Sequence, residues 1–489
     1  MEFPGFVGGS FTEASRLADQ EQTINFYVQV FPKVANATTR KALYGWPGVT
    51  AFLETAVAAA PCRGTFTAAG RTFAVYGASL VEINSNGTST ARGTVAWLDN
   101  TPVSWGYNGD GGGEVMVSAS DVGYVLTLAT NVLTTEVTSA SDFAAMLDGF
   151  FISLDTATST FSISDLFDGT TWDPTQFAQR SIAGDPWVSV LTPSVGREIW
   201  LFGTRTSEIW YNAGTAPFPF APQPNALLPF GIAAPASAAS AAGSVLWLTQ
   251  TELGRAQVVR AVGSQPRIVS TTALEQAFDT YVTIDDAIGQ TMAFQGHTFY
   301  VLTFPTQAIT WCYDLTTDYW VQLGTWIVAQ AAYEAWRPVF HTFNFGTHLL
   351  GDLETGDLWA LSPTVYTDVD GEPLRRLRRA PGLIQEDKMI YYSRIQILMD
   401  VGIGNVVPPS VDPQVMLRMS DDGGYTWGTE YTVSAGYALG PGQLGTYNTR
   451  VEVGRLGAAR RRVFEVSMSD SVPWRIQGAV LQIRPSTGN

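Results

Sequence analysis

The segment Ile199-Trp200-Leu201-Phe202-Gly203-Thr204-Arg205-Thr206-Ser207-Glu208-Ile209-Trp210-Tyr211 consists of two apolar runs separated by a turn of small and polar residues. Short apolar runs rich in aromatic and β-branched residues on either side of such a turn predict a β-hairpin. About seven hairpins of this kind occur between Phe73 and Ala360. The other copies begin near Phe73, Val115, Phe150, Val245, Thr298 and Leu349.

The spacing of these hairpins indicates a β-propeller. Their starts are roughly 35 to 55 residues apart, which is the length of one four-stranded blade. A four-stranded sheet cannot bury both of its faces alone, whereas radial stacking of blades covers those faces and leaves only short edges. The pattern predicts seven blades, or six blades with one hairpin outside the ring. A plain β-sandwich also has many short strands, but a repeat of this length fits it less well.

The sequence divides into three predicted regions. Residues 1–60 are expected to form an N-terminal extended segment, residues 61–365 the β-propeller, and residues 366–489 a C-terminal β-rich platform or assembly domain. In the last region alternating strands such as Ile395–Met399 and Arg462–Met468 are typical of a β-sandwich of roughly 100 residues. The predicted fold class is therefore all-β, a propeller of six or seven blades with an additional C-terminal β-sandwich-like domain.

Helix signals are scarce in this sequence. The segment Thr272–Phe278 predicts one short helix, with Thr271 or Thr272 as its N-cap. The chain has 47 glycines, 26 prolines and 12% aromatic residues, a composition that favours short strands joined by tight turns.

The chain is acidic, which limits its possible relation to nucleic acid. It has 28 Lys and Arg against 44 Asp and Glu, a formal net charge of −16. A DNA-binding protein gains much of its affinity from neutralising phosphates, so tight wrapping of DNA is not expected. A channel along which DNA slides without being held remains compatible with this charge.

No catalytic, metal-binding or cofactor constellation is predicted. His297, His341 and His348 form no zinc-binding pattern, and packed histidines are favoured over metal ligands. The segment 108–114 is rich in oxygen ligands but lacks EF-hand spacing, which favours a flexible blade connection over a Ca²⁺ site. Phosphate-binding loops and serine-hydrolase elbows are not found.

The remaining composition gives no signal for export or for membrane insertion. The N-terminus lacks a basic region followed by an apolar run, and no stretch reaches the roughly 18 apolar residues of a membrane span. Cys62 and Cys312 lie in no paired-cysteine motif, so a disulfide framework is not indicated and assembly in a reducing cytosol is expected.

The segment Ser420–Trp427 matches the Asp-box pattern Ser-x-Asp-x-Gly-x-Thr-Trp. Asp422 is expected to accept N–H bonds inside the turn, Gly424 to adopt a φ that other residues resist, and Trp427 to fill the core. The Asp-box is a fold element in sialidases, and a sialidase-like glycosidase would also need an arginine cluster, a tyrosine nucleophile and acidic partners. The structural interpretation of this motif is therefore favoured.

Two clusters of arginine lie in the C-terminal region. Pairing with acidic surfaces of a neighbouring subunit is the favoured interpretation, because the planar guanidinium fork suits carboxylates. DNA contact and a solvated strand face are the alternatives. The clusters consist of Arg375, Arg376, Arg378 and Arg379, and of Arg450, Arg455, Arg460, Arg461 and Arg462.

Both ends of the chain resemble a known family. The segment Ile24–Tyr27, followed by Leu43–Val49 with its Trp-Pro-Gly turn, resembles the opening of the packaged-DNA stabilisation, or tail hub (nozzle), proteins of short-tailed, podovirus-like bacteriophages. The ending, Met416–Trp427 followed by Arg455–Glu465, resembles the Arg-x-Gly-x-x-Arg-x-x-Val-Phe stretch and the closing strands of that family. The order of these elements agrees over nearly the whole chain.

The resemblance implies a structural virion protein of the phage tail and no enzyme. Such a protein would be assembled in the host cytoplasm as a homohexameric ring below the head-to-tail adaptor, with the N-terminal segment joining the hub. The ring would close the DNA-filled head, adjoin a tail needle or plug and tail fibres or tailspikes, and conduct double-stranded DNA during genome ejection without tight binding. The resemblance assigns no particular residues to the DNA-facing surface. A receptor- or glycan-binding tail propeller is the alternative, and a glycosidase is a less favoured one.

Overall fold

The computed structural model of the protein describes residues 1–31, 41–53, 55–135, 140–180, 183–193, 196–384, 388–440 and 444–485, and residues of all three predicted regions lie outside this description. β-Strands dominate the described residues. Five of them precede the first complete blade: β1 (Phe11–Thr12), β2 (Gln20–Ile24), β3 (Phe26–Val30), β4 (Lys41–Gly45) and β5 (Gly48–Ala51).

Seven units of four antiparallel strands form the blades of a propeller in the described chain; six are separate sheets, and the strands of blade 6 are part of a larger sheet. At most boundaries between blades the first strands of the two blades contact each other, so these first strands are the innermost ones. Blade 1 contains β6 (Cys62–Ala68), β7 (Arg71–Tyr76), β8 (Ser79–Ile83) and β9 (Ser89–Thr94). Blade 2 contains β10 (Ser104–Tyr107), β11 (Glu114–Ala119), β12 (Val122–Thr127) and β13 (Val132–Thr135). Blade 3 contains β14 (Phe143–Leu147), β15 (Phe150–Asp155), β16 (Thr160–Ile163) and β17 (Phe177–Gln179).

The later blades complete the ring. A small hairpin follows blade 6, and blade 7 has three consecutive strands. Blade 4 contains β18 (Trp187–Leu191), β19 (Glu198–Gly203), β20 (Ser207–Asn212) and β21 (Phe220–Leu228), and blade 5 contains β22 (Ala239–Ala241), β23 (Ser244–Gln250), β24 (Ala256–Val262) and β25 (Gln265–Ile268). Blade 6 contains β26 (Ile288–Phe294), β27 (His297–Phe304), β28 (Ile309–Asp314) and β29 (Tyr319–Leu323), and the hairpin contains β30 (Thr325–Ile327) and β31 (Ala332–Glu334). Blade 7 contains β32 (Pro338–Asn344), β33 (Thr347–Asp352) and β34 (Leu358–Ser362).

Each predicted hairpin forms the second and third strands of one blade, which confirms the propeller. These central strands are covered on both faces by the adjacent blades, so their apolar runs are continuous; every residue of β11, for example, is buried. Because seven hairpins belong to seven blades, the alternative of six blades with one hairpin outside the ring is wrong.

The ring closes with a strand from the beginning of the chain. β5 pairs with β34 as the outer strand of blade 7, with Val49 opposite Leu361 and Thr50 opposite Ala360. Blade 7 therefore combines residues that precede blade 1 with residues that follow blade 6, which holds the two ends of the propeller together.

The described residues contain one α-helix, α1 (Thr272–Phe278), between blades 5 and 6. Its N-cap is Thr271, whose Oγ1 accepts a hydrogen bond of 3.3 Å from the backbone N–H of Leu274. The predicted helix and one of its two predicted caps are therefore present.

A β-sandwich follows the propeller. Its two sheets enclose a core that includes Phe26, Trp474 and Phe464. The strands after the propeller are β35 (Arg376–Arg379), β36 (Leu383–Ile384), β37 (Ile390–Met399), β38 (Gln414–Ser420), β39 (Tyr431–Ser434), β40 (Val451–Gly454), β41 (Ala458–Ala459), β42 (Arg461–Met468) and β43 (Arg475–Pro485). One sheet contains β2, β35, β42, β38 and β39, and the other contains β3, β4, β43, β37 and β40.

Candidate functional site

The propeller and the sandwich share one continuous sheet. β2 pairs in parallel with β29, the outer strand of blade 6, where Ile24 lies opposite Gln322. On its other side β2 pairs antiparallel with β35, where Ile24 lies opposite Leu377. Backbone hydrogen bonds therefore run without interruption from blade 6 into the sandwich, and this junction is the candidate functional site.

Asn25 holds the junction together. It is fully buried with φ +57°, a backbone conformation that asparagine tolerates better than most residues. Its Nδ2 donates to the carbonyl oxygens of Gly324 and Arg375, both at 2.8 Å, and its Oδ1 accepts from Gly324 N–H at 2.9 Å. The left-handed turn at Asn25 also separates β2 from β3, which belong to different sheets. Ile24–Val28 is therefore two strands, where the sequence predicts a single extended segment.

A histidine links the second sheet of the sandwich to blade 6. His297 is buried, with Nδ1 2.7 Å from Asp314 Oδ2 and Nε2 2.8 Å from Gln29 Oε1. Gln29 belongs to β3, while His297 and Asp314 belong to blade 6. Both ring nitrogens are therefore occupied by partners within the chain, and the residue packs at the junction as the sequence indicates.

Arg378 fixes the N-terminal segment onto the sandwich. Its guanidinium exposes no surface and donates to the carbonyl oxygens of Phe6 at 2.8 Å, Gly9 at 2.8 Å and Gly5 at 2.7 Å. It also forms an ion pair of 3.0 Å with Glu21. A buried guanidinium is tolerated when its donors are all engaged, and here the segment before β2 supplies most of the acceptors.

The Asp-box tryptophan lies between two arginines. The guanidinium carbons of Arg379 and Arg418 are 4.9 Å and 4.7 Å from the ring centroid of Trp427. Both arginines bind the buried carboxylate of Glu465, at 2.7 Å and 2.6 Å. Trp427 is half-buried on this charged layer, where the sequence predicts a place in the apolar core. Cation–π contact holds its ring at the surface of the sheet.

The Asp-box turn itself is a carboxylate-centred clamp between β38 and β39. Asp422 Oδ1 accepts from Tyr425 N–H and Thr426 N–H, both at 2.9 Å, and Ser420 Oγ accepts from Gly424 N–H at 2.7 Å. The hydroxyls of Ser420 and Thr426 also donate to the carboxylate, at 2.7 Å and 2.6 Å, and these two hydrogen bonds contribute most to holding the pKa of Asp422 well below its usual range. A carboxylate bound in this way serves the turn and is not positioned for acid–base chemistry.

The arginines of the two clusters differ in how far they are buried. Buried guanidiniums that bind their own chain cannot pair with another subunit, which corrects the predicted subunit contact for these residues. The buried ones are Arg376, Arg378 and Arg462. The half-buried ones are Arg375, Arg379 and Arg461, and the exposed ones are Arg450, Arg455 and Arg460. A contact with a neighbouring subunit stays a prediction for the half-buried and exposed residues.

Arg462 can be buried because Asp421 and Leu456 accept the hydrogen bonds of its guanidinium. Its Nε and Nη2 donate to the two carboxylate oxygens of Asp421 at 2.6 Å and 2.7 Å, and its Nη1 donates to the carbonyl oxygen of Leu456. The guanidinium also lies 4.6 Å from the ring centroid of Tyr392. Arg462 thus connects the Asp-box hairpin to β42.

The other two histidines form a pair between blades 6 and 7. His341 Nε2 lies 2.9 Å from His348 Nδ1, and His341 Nδ1 lies 3.1 Å from the carbonyl oxygen of Thr291. Burial and the neighbouring His348 lower the pKa of His341 to about 4. Within the described ranges no group of three or more His, Cys, Asp or Glu side chains is arranged to hold a metal ion.

The oxygen-rich segment 108–114 connects the first two strands of blade 2. Asn108 Nδ2 donates to Glu114 Oε2 at 2.9 Å, and Asn108 Oδ1 accepts from Glu114 N–H at 2.8 Å. Glu114 Oε2 also accepts from Gly169 N–H at 2.7 Å. The buried carboxylate is therefore engaged by the chain itself, as a blade connection requires.

The propeller has a narrow central channel of about 260 Å³. Its lining comes mainly from the innermost strands and, in the described chain, carries no charged side chain. The lining includes Val103, Ser104, Phe143, Ala144, Ser189, Val190, Pro235, Ala236, Ile288, Gly289 and Phe340. A space of this size cannot admit a DNA duplex, whose major groove alone is about 12 Å wide.

A larger groove of about 1410 Å³ lies between blades 4 and 5. It is lined by Phe230 and by polar residues that include Thr206, Gln250, Glu252 and Gln257. Such a lining offers hydrogen bonds and one aromatic face to a polar ligand.

Comparison with known proteins identifies both domains. A sequence model described as "Bacteriophage P22 Gp10, beta-propeller", of a phage stabilisation family, matches residues 25–366. A second, described as "Bacteriophage P22 Gp10, beta-sandwich", matches residues 375–484. No curated protein matches the chain.

Several solved structures are similar to this chain at low sequence identity. The WD40 propeller domain of Doa1 is 8% identical, with 65% of this chain and 98% of that chain covered and a TM-score of 0.38. The N-terminal domain of Nup159 is 11% identical, with 70% and 98% covered and a TM-score of 0.39. PorZ of Porphyromonas gingivalis is 11% identical, with 70% and 44% covered and a TM-score of 0.36.

The described chain has no helix of the length and apolarity that crossing a membrane requires. The first family match begins at Asn25 and ends at Tyr366, and so spans the junction strand β3 and all seven blades. The second covers β35 and most of the sandwich strands after it. The chain therefore belongs to the phage stabilisation family of bacteriophage P22 Gp10, with the β-propeller and the β-sandwich of that family in the same order.

Proposed function

We propose that the protein is a subunit of the tail hub, or nozzle, of a short-tailed phage, in a homohexameric ring below the head-to-tail adaptor. The ring closes the DNA-filled head, adjoins the tail needle or plug and the tail fibres or tailspikes, and lets the genome pass during ejection. The observation that carries the proposal is the match of both domains, in order, to a phage stabilisation family.

The junction supports a mechanical role. A ring that closes a pressurised head must transmit load between its domains without a hinge. The continuous sheet through β2 and the hydrogen bonds of Asn25 supply such a connection, because backbone pairing and buried side-chain bonds resist relative motion. In this proposal the protein works as a rigid block and performs no catalytic step.

In this proposal the path of the DNA lies in the space between copies of the chain. The channel within one propeller, about 260 Å³, excludes a duplex. A DNA-conducting lumen therefore requires several chains around an axis. The net charge of −16 suits transient passage, because an acidic wall makes few lasting contacts with phosphates.

The proposal is tested by mixing the purified chain with adaptor rings and examining the product by native mass spectrometry and electron microscopy. We expect six copies of the 52.9 kDa chain on each adaptor ring, around an open axial channel. Phage that lack the protein should package DNA and then lose it from the heads. A chain that stays monomeric beside adaptor rings, or mutant heads that retain DNA, contradicts the proposal.

The groove between blades 4 and 5 favours a second candidate, a glycan-binding tail propeller. Hydroxyl, amide and carboxylate groups beside the ring of Phe230 are the chemistry that sugars require. Binding of the purified chain to host-surface glycans, and its loss in Phe230→Ala combined with Gln250→Ala, would support this candidate. A fluorogenic sialoside serves as a further control, and its hydrolysis would support the glycosidase alternative instead.

A further inference from the structure

Two loops at one end of the sandwich lie against each other. One connects β37 to β38 (residues 400–413), and the other connects β39 to β40, where the structure describes residues 435–440 and 444–450. Gly402 N–H donates to the carbonyl oxygen of Ala435 at 2.8 Å, and Gly404 N–H donates to that of Gly436 at 3.1 Å. The two loops therefore form one surface.

This surface exposes large apolar side chains. Leu439 is 63% exposed and Leu444 is 85% exposed. Leu439 N–H donates to the phenol oxygen of Tyr447 at 3.2 Å, and a Cβ at Gly440 would lie 2.6 Å from Val406, so residues of the two loops adjoin one another. We call the exposed set the apolar loop patch, and it consists of Val406, Val407, Tyr437, Leu439, Leu444 and Tyr447.

The sequence around the apolar loop patch carries no charge. None of residues 401–411 and 431–449 is Asp, Glu, Lys or Arg. Soluble proteins rarely leave a contiguous apolar patch uncovered, and such patches mark sites of association. The core of a protein interface is depleted of charged residues and enriched in aromatic ones. The apolar loop patch therefore has the composition of an interface core.

The distribution of charge along the chain favours a second copy of the chain as the partner. Residues 61–365, which form the propeller, contain 10 Lys and Arg and 26 Asp and Glu, a net charge of −16, whereas the remaining residues contain 18 of each. A large net charge keeps copies of a protein apart, so they associate most readily where that charge is absent. The sandwich is such a region, and the apolar loop patch lies on it.

The same residues argue against two other partners. DNA and anionic membrane surfaces attract Lys and Arg, and the stretches 401–411 and 431–449 contain neither. A partner that binds here must therefore be held by apolar contact.

We propose that the apolar loop patch binds a second copy of the chain and forms part of the contact between neighbouring subunits of the ring. This inference rests on the proposed tail function, which requires several copies around one axis. A closed ring of six uses two different surfaces of each subunit, so the patch packs against another surface of the next copy.

The experiment compares two double variants of the full chain. Val407→Asn with Leu439→Asn removes two exposed apolar side chains of the patch and leaves the net charge at −16. The matched control is Leu253→Asn with Val282→Asn, which makes the same kind of change at exposed residues of the propeller region. Both variants should unfold at the wild-type temperature, because substitutions of exposed side chains have little effect on stability.

Native mass spectrometry counts the copies on each adaptor ring, and analytical ultracentrifugation measures self-association of the chain alone. We expect the patch variant to weaken the affinity between copies by about tenfold or more and to leave rings incomplete, while the control assembles like the wild type. Higher salt should strengthen the association of the wild type, because it screens the repulsion between acidic propellers.

A cross-linker at position 439 locates the contact directly. Cys62 and Cys312 are both buried, so Leu439→Cys supplies an exposed thiol that a photo-cross-linker can label selectively. In the assembled ring the cross-links should join two copies of the chain. Leu253→Cys, labelled in the same way, should give no such cross-link.

The failure of this inference differs from the failure of the proposed function. Complete rings of the patch variant, self-association that weakens with salt, or cross-links from position 439 to the adaptor alone would overturn the inference and leave the proposed function standing. Binding of the wild type, but not of the patch variant, to vesicles of phosphatidylethanolamine and phosphatidylglycerol would assign the patch to a membrane and also overturn it.

A wild type that forms no ring on the adaptor contradicts the proposed function. Self-association of the chain alone then decides the inference: its loss in the patch variant supports the contact between copies, and a wild type that stays monomeric at every salt concentration overturns it.

Discussion

At the residue scale, the architecture depends on polar side chains that satisfy their hydrogen bonds inside the chain. Arg378 illustrates why sequence patterns miss them. A basic run in an acidic chain predicts surface residues, since guanidiniums are rarely buried without partners. The acceptors of Arg378 are carbonyls of Gly5, Phe6 and Gly9, more than 360 positions away in the sequence. Such backbone acceptors leave no trace in composition or periodicity.

Asp368 is another buried ionisable residue, and its burial predicts that the stability of the protein depends on pH. Burial raises the pKa of its carboxyl to about 7, although Val369 N–H donates to it at 2.9 Å. A raised folded-state pKa means that the folded protein binds the proton more tightly, so this group makes stability fall as pH rises from about 4 to about 7. Asp368→Asn should therefore stabilise the protein by about 1–3 kcal/mol at pH 8, and by less at pH 4 to 5.

Urea denaturation of the wild type and Asp368→Asn across this pH range measures the effect. The control is Asp370→Asn, which removes an exposed partner of Arg337 and should give no gain that grows with pH. A stability difference between Asp368→Asn and the wild type that stays constant from pH 4 to pH 8 would show that the carboxyl of Asp368 is not held neutral.

At the element scale, the sequence predicts the strands whose burial depends on nearby residues. It does not predict strand pairs whose two partners are far apart in the sequence. The central hairpins of all seven blades are visible because neighbouring blades cover both of their faces. β5 is not recognisable as the outer strand of blade 7, since its partner β34 lies about 310 residues later. The Asp-box turn was recognisable as a motif, but the position of Trp427 was not, because it depends on arginines of two other strands.

A repeated Asp-x-x-Thr turn is a further sequence signal of the blades. Asp155, Asp314 and Asp352 each end a strand, and each accepts a backbone N–H from the residue two positions later at 2.8–2.9 Å. A threonine follows each aspartate three positions later. This Asp-x-x-Thr spacing closes turns in blades 3, 6 and 7 by the same carboxylate hydrogen bonding as an Asx-turn.

The Asp-box hairpin predicts a position-specific cost for an added methyl group. Gly424 has φ +89°, and a Cβ there would lie 2.3 Å from Gln20 Oε1 in the N-terminal segment. Gly424→Ala should therefore destabilise the protein by about 2–4 kcal/mol, through backbone strain and displacement of Gln20. Gly70→Ala is the control, since Gly70 has φ +73° with nothing within 4 Å, and it should cost only about 1–2 kcal/mol.

Chemical denaturation of the two alanine variants gives both values. Similar losses for Gly424→Ala and Gly70→Ala would mean that the Asp-box turn does not press against the N-terminal segment.

At the scale of the whole molecule, the continuous sheet makes the propeller and the sandwich one mechanical body. The N-terminal segment produces this result, because β2, β3 and β4 belong to the sandwich while β5 belongs to blade 7. The sequence predicts an extended segment here and cannot show the division, since each strand is short and its partners are remote. The two domains are therefore expected to unfold together.

Differential scanning calorimetry tests this expectation. The wild type should give a single transition, in which the calorimetric and van 't Hoff enthalpies agree. Asn25→Gly keeps the left-handed backbone but removes three buried hydrogen bonds, which should cost about 2–4 kcal/mol and separate the transition into two. Two transitions in the wild type, or one unchanged transition in Asn25→Gly, would contradict the coupling.

The pairing of β5 with β34 also delays the completion of blade 7 during translation. β5 leaves the ribosome early, yet its partner is complete only at Ser362, about 310 residues later. At roughly 5–20 residues per second, β5 waits about 15–60 s with its hydrogen-bonding edge unpaired. During that interval the nascent chain exposes an unpaired strand edge to other nascent chains on the same polysome. Binding by a chaperone would protect this edge from misassembly.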